Sequence, residues 1–236
     1  MNLRTDTMKF PVMLIYFVFT GLFLFAQTGP GPVHDAGWNY RTGRDLEAQG
    51  RLDAAAPYYD EAVRICTDEI TQNRASGDSY AVLTWTLRRQ QKYADVITWG
   101  ERGLRLYNDD YRIVETMGEA YFYLNNYNAA LQAMQRYVNA LPQGERASVA
   151  YFFIGEIYRL TRRYRLADIA YTTAIHLEPG LALWWYRLGS VREAVEDFAP
   201  ATEAYEGALR LNPNYREAAE GRSRSQRGGS SLLHTQ

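Results

Sequence analysis

Residues 182–215 read ALWWYRLGSVREAVEDFAPATEAYEGALRLNPNY. Two helical periods lie here on either side of a polar turn. Trp185, Leu188 and Gly189 stand on the first; Ala201, Tyr205 and Ala208 stand on the second; Pro213 stops it. Spacings of three and four residues give each helix one apolar face. Pro200 falls at the start of the second helix, where its missing N–H costs nothing. Glycine and alanine at facing positions let two antiparallel helices approach closely, because a larger group would push them apart. A pair this short cannot bury its apolar face alone, so it predicts neighbours of the same kind.

Those neighbours are present. Gly118, Gly155 and Gly189 are each followed twelve residues on by alanine (Ala130, Ala167, Ala201) and twenty-four on by proline (Pro142, Pro179, Pro213). One further copy runs through Tyr151, Ile154, Gly155, Tyr158, Ala167, Tyr171, Ala174 and Pro179, and another through Val114, Met117, Gly118, Tyr121, Ala130 and Met134. A weaker one carries Gly43, Leu46, Gly50, Ala55, Tyr59 and Ala62, and a degenerate one Tyr80, Leu83, Leu87 and Tyr93, with Val96 for the alanine. This pattern resembles the tetratricopeptide repeat (TPR) family, whose unit is about 34 residues. The resemblance implies an all-α, right-handed solenoid of about five helix-turn-helix repeats. The units are 36–69, 77–110, 111–144, 148–181 and 182–215, with seven residues inserted after the first and three after the third. Seven residues are two helical turns, so the first insertion is expected to lengthen a second helix through about Gln72, with Ser76 opening the next.

The flanks differ from this body. Residues 10–25, FPVMLIYFVFTGLFLF, carry no charge and follow Arg4 and Lys9. A positive start, an apolar stretch and Ala26 describe a secretory signal, residues 1–26. The stretch is short for a membrane-spanning helix, and an uncut signal anchor through residues 10–26 is the competing reading. The expected place is outside the cytoplasm, periplasmic or in the cell envelope. Residues 27–35 read as a Pro/Gly linker. Residues 216–236 read as a short helical extension with a disordered tail.

The 236 residues carry a formal net charge of −1 and 33 aromatics, 19 of them tyrosine. The charge balance argues against a basic nucleic-acid binder. One cysteine, Cys66, excludes an intramolecular disulfide and a cysteine-based zinc site. His34, His176 and His234 are far apart, and no nucleophile elbow, phosphate loop or HExxH motif is present. The chain is therefore not expected to be an enzyme, nor to need a cofactor or metal.

Function in a solenoid usually lies on its concave surface. In TPR proteins the first helix of each pair lines that surface, so the resemblance implies a groove bearing Tyr40, Arg44, Trp85, Arg88, Arg89, Glu115, Glu119, Phe122, Tyr123, Phe152, Glu156, Arg159 and Tyr186. The arginines of units one and two and the glutamates of units three to five would orient an extended segment, its acidic part near Arg44, Arg88 and Arg89 and its basic part near Glu115, Glu119 and Glu156. Trp85 and Phe152 would be the apolar anchors. The lysine–asparagine clamp by which some TPR modules grip chaperone tails is altered, with Tyr40 and Arg44 at one pair of positions and Arg112 and Thr116 at the other. The expected partner is a protein or peptide segment, with an adaptor or scaffold role in the cell envelope. The rival expectation is a ligand-binding accessory subunit of a substrate-uptake transporter.

Overall fold

The computed structural model describes residues 35–233, with side chains through residue 230. The signal segment and almost all of the linker lie outside the described residues. Five antiparallel pairs follow one another: α1 (Ala36–Ala48) with α2 (Leu52–Thr71), α3 (Gly77–Arg89) with α4 (Tyr93–Leu106), α5 (Tyr111–Tyr123) with α6 (Tyr127–Ala140), α7 (Ala147–Leu160) with α8 (Tyr164–Leu177), and α9 (Ala182–Glu193) with α10 (Phe198–Leu211). A last helix, α11 (Arg216–Leu233), packs on α10 and α9. Among the described residues there is no strand, and no helix is long and apolar enough to cross a membrane.

Each pair turns in the same way. At the end of α7, the Arg163 N–H donates to the Tyr158 carbonyl at 2.8 Å and the Arg162 N–H to the Arg159 carbonyl at 3.0 Å. This is a Schellman motif, and it places Arg162 at φ 58°. Gly50, Gln91, Asn125 and Glu196 hold the same left-handed position in the other pairs. Only one of the five is glycine, so the others carry local strain of about 1–2 kcal/mol each. Replacing the exposed Arg162 by glycine relieves that strain at some cost in unfolded-chain entropy. Arg162→Gly is therefore expected to stabilise the fold by about 0.5–1 kcal/mol, read as a higher urea midpoint at unchanged slope. A lower midpoint would refute the turn assignment.

The sequence spacing has a direct packing meaning. A Cβ at Gly43, Gly155 or Gly189 would lie 2.7, 2.6 or 2.7 Å from the ring of Tyr59, Tyr171 or Tyr205 on the paired helix. Gly118 faces the flexible Met134 instead. The tyrosine hydroxyls then donate to first-helix carboxylates: Tyr59 to Glu47 at 2.5 Å, Tyr205 to Glu193 at 2.6 Å, and Tyr171 to Glu156. Burial, followed by these carboxylates, pushes the three phenols far up, so they remain neutral donors. Ala55, Ala130, Ala167 and Ala201 are all but fully buried where paired helices cross.

The second helix of unit one extends to Thr71. Its buried residues Ala55, Tyr59, Ala62, Cys66 and Ile70 keep one face over the added turns. Ser76 then caps α3 in a reciprocal capping box with Ser79. Cys66 is fully buried, and burial pushes its thiol up to about 12.

The C-terminal region departs from expectation. Residues 216–233 form one helix rather than a short extension and a disordered tail. Gly221 and Gly228, poor helix formers by themselves, are the points of contact. A Cβ there would meet the Tyr205 ring at 2.4 Å and the Phe198 ring at 2.7 Å. Ala218 is fully buried, and Arg224 pairs with Glu193 at 2.7 Å. Docking on the last repeat holds the helix, and its polar outer face closes the array.

Candidate functional site

First helices of successive units touch one another, α1 with α3, α3 with α5 and α5 with α7, which places them together on the inner side of the stack. Across units one to three this side opens into a cavity of about 1100 Å³. Tyr40, Arg44, Trp85, Arg88, Arg89 and Glu115 line it, six of the groove residues named from the sequence. The Trp85 ring lies 5.6 Å from that of Tyr40, with the Arg112 guanidinium 5.8 Å from its centre. These neighbours hold a partly exposed indole in place, in the form of a preorganised apolar contact.

Five arginines and five carboxylates line the walls, and the arginines differ in their partners. Arg44 is half exposed and, among the described residues, bonds only its chain neighbour Asp45. Arg89 reaches Glu47 at 3.4 Å, and its Nε is buried without a hydrogen-bond acceptor. Arg112 is held between Asp110 and Asp78, each at 2.7 Å. Arg88 donates to Glu119 at 3.0 Å. Asp109 and Glu145 add negative charge at the lining.

The floor carries the site's most unusual chemistry. Glu115 and Glu119, one helical turn apart, are 3% and 2% exposed. Arg146 bridges them: its Nη2 lies 3.0 Å from Glu115 and 2.5 Å from Glu119, and its Nε donates to Glu115 at 3.1 Å. Arg146 comes from the segment between α6 and α7, where three residues are inserted. The Tyr137 hydroxyl accepts the Arg146 backbone N–H at 3.1 Å and fixes that segment. Burial first, and then repulsion from Glu119, push the Glu115 carboxyl well above its ordinary value, with Arg146 opposing them. Arg146 itself stays charged, because both glutamates outweigh its burial.

This has a consequence for stability. Folded Glu115 holds its proton more tightly than the unfolded chain does. Its contribution is therefore fully present below the ordinary carboxyl value of 4.5 and is lost as pH rises through the raised folded value. Glu115→Gln, neutral at every pH, is expected to remove that loss. Melting curves from about pH 5 to about pH 9 should show the parent falling behind the variant as pH rises. A parent that gains on the variant would reverse the sign.

The remaining groove residues have other settings. Glu115, Glu119 and Glu156 do not form an open acidic half: Glu156 is 6% exposed and is held by Arg159 at 2.8 Å, by Arg187 at 3.0 Å and by the Tyr171 hydroxyl. Phe152 stacks on Trp184 with centroids 5.1 Å apart, so it is packed between units four and five rather than standing free. Phe122 and Tyr123 pack on Phe153, and the exposed Tyr123 also stacks on Tyr93 at 4.8 Å. Tyr186 lies against Tyr205 and Tyr215. Glu119, Phe122, Tyr123, Phe152, Glu156, Arg159 and Tyr186 are not among the residues that line the cavity. Arg146, which does line it, was not singled out from the sequence. The inserted residues were the available signal. Thr116, one of the altered clamp positions, is fully buried with its hydroxyl on the Arg112 carbonyl. Among the described residues, no group of His, Cys, Asp and Glu is placed to hold a metal ion.

A curved stack of helical hairpins with an inner cavity defines a helical-repeat solenoid. Residues 148–180 and 185–215 match the tetratricopeptide repeat model, and the described helices have the fold of a TPR solenoid. Similar solved structures share the fold at low identity. MamA 41-end from Desulfovibrio magneticus RS-1 is 18% identical, with TM-score 0.56, over 78% of this chain and 99% of that one. The APC/C hetero-tetramer Cut9–Hcn1 gives 15%, TM-score 0.66, 80% of this chain and 36% of that one. YrrB, a TPR protein with an unusual peptide-binding site, gives 19%, TM-score 0.54, 80% and 92%. No curated protein matches the sequence.

Proposed function

We propose that this protein is an exported, non-catalytic adaptor that holds an extended, acidic segment of a partner protein in the cavity of units one to three. The observation that carries this reading is the pairing of Trp85 and Tyr40 with arginines on one wall. The ring contact supplies apolar area, and the arginines supply donors suited to carboxylates. YrrB, a TPR solenoid with a peptide-binding site, lends the reading support by analogy. The charged, apolar N-terminal sequence supports export.

Tryptophan fluorescence titrated with acidic peptides, and with glutamine analogues of the same peptides, tests the binding. Arg44 is the charge to reverse, because it is exposed and, among the described residues, bonds only Asp45, whereas Arg88 also neutralises buried Glu119. Arg44→Glu should slow association and flatten its salt dependence, with little change in dissociation. Peptides that bind without regard to charge would overturn the acidic preference. A phosphatase fusion after Pro32 tests export, and a stable fusion lacking activity outside the cytoplasm would overturn it.

The cavity volume also suits a small ligand, as in an accessory subunit of an uptake transporter. A thermal-shift screen separates the two readings, because a small ligand raises Tm by mass action.

A further inference from the structure

We propose that Arg146 is a ligand-binding residue of this cavity, shared between the buried Glu115–Glu119 pair and a side-chain carboxylate of the bound segment, so that the segment binds together with one proton. The inference rests on the groove reading above and concerns how that site is regulated.

Three observations on the floor of the cavity carry it. Arg146 uses only Nε and Nη2 on the two glutamates. Its Nη1 donors have no acceptor among the described residues, and its side chain is 41% exposed at the cavity lining. A guanidinium offers a planar fork on more than one edge, so a second carboxylate has donors waiting for it. The Tyr137 hydroxyl accepts the Arg146 backbone N–H and pins the segment that brings Arg146 to the cavity lining.

Charge balance supplies the proton. Above the raised folded value of Glu115, where that carboxyl is ionised, Arg88 and Arg146 face Glu115 and Glu119, two positive groups against two negative. Bringing an acidic side chain to Arg146 leaves one negative charge in excess in a place shielded from water. Protonating Glu115 restores the balance, and the group is already disposed to take a proton by its burial and by Glu119. Protonated Glu115 donates to Glu119, while Arg88 continues to hold the other Glu119 oxygen. The other ionisable groups at the lining are Tyr40, Arg44 and Arg89; Arg112, fixed by Asp110 and Asp78; Tyr107 and Tyr111; Tyr137, beside Arg146; and Asp109 and Glu145. Among the described residues no histidine lines the cavity, and Glu115 is the group there disposed to take up a proton near neutral pH.

The test uses the full chain and a labelled peptide of alternating glutamate and leucine, acetylated and amidated so that its only carboxylates are side chains. Affinity is measured by anisotropy from about pH 6 to about pH 9, above the range in which the peptide itself titrates. The parent should bind more tightly as pH falls, by up to about tenfold per pH unit where Glu115 titrates. At the alkaline end of that range, where Glu115 of the free protein is ionised, calorimetry in two buffers of different ionisation enthalpy should show uptake approaching one proton. Glu115→Gln should bind at least as tightly as the parent does at the acid end, with neither pH slope nor proton uptake. Adding Arg146→Gln to that variant, which leaves no unbalanced charge on the floor, should weaken binding more than tenfold. A parent that binds the acidic peptide with no pH slope, or a double variant that binds like Glu115→Gln, overturns the role of Arg146 and leaves the groove reading standing. A parent that binds neither this peptide nor its glutamine analogue overturns both.

Discussion

Gly155→Leu is expected to destabilise the fold by about 1–3 kcal/mol or more, as a drop in the urea midpoint. Even the first atom of a side chain at this position would lie 2.6 Å from the Tyr171 ring. That ring cannot swing aside. It is fully buried, and its hydroxyl is tied to Glu156, which Arg159 and Arg187 hold in turn. The added leucine must therefore separate α7 from α8 or displace the whole cluster. Two comparisons give the result its meaning. Gly118→Ala meets the end of the Met134 thioether at 2.9 Å, which can move, and should cost less. Gly180→Ala meets nothing within 4 Å and should leave stability near the parent's. If Gly155→Leu and Gly180→Ala unfold at the same denaturant concentration, the repeat register is wrong.

Trp85→Ala is expected to weaken segment binding by about 2 kcal/mol or more, roughly thirtyfold in Kd. Most of the change should fall in the dissociation rate, with salt sensitivity unchanged. Trp85 is the cavity residue with a large apolar ring already oriented, by Tyr40 on one side and Arg112 on another. Truncation removes contact area and also frees the Arg112 guanidinium from its ring. Phe152→Ala is the informative contrast. Its ring is engaged by Trp184, so its removal should lower stability before it alters binding in the cavity. Equal binding losses for the two variants would extend the site beyond unit three.

The structural reading also changes which charges serve as probes of binding. Reversing Arg88 would place a carboxylate beside Glu119, which is 2% exposed. Breaking a buried pair from one side commonly costs about 3–5 kcal/mol, so lost binding in that variant would report unfolding. Arg44 avoids the difficulty because its only ion-pair partner among the described residues is exposed Asp45.

The sequence by itself determined the repeat. Glycine, alanine and proline at fixed spacing set where each helix pair begins, crosses and stops, and these are local or near-local demands: Gly155 and Tyr171 sit sixteen residues apart within one hairpin. The resemblance to TPR repeats likewise implied that Tyr40, Trp85 and Glu115 share one groove, and all three line the cavity. What the groove presents was decided only by tertiary structure. Glu115 reads as an exposed acid on its own helix, yet the burial and pairing that remove it from solvent come from Arg146, 31 residues on. Phe152 reads as a free anchor until Trp184 of the next unit stacks on it. Gly221 and Gly228 read as breakers of structure until the Tyr205 and Phe198 rings occupy the space beside them. Spacing along a chain fixes which face a side chain stands on, whereas its charge state and accessibility depend on groups that only the packing of successive units brings within hydrogen-bond reach.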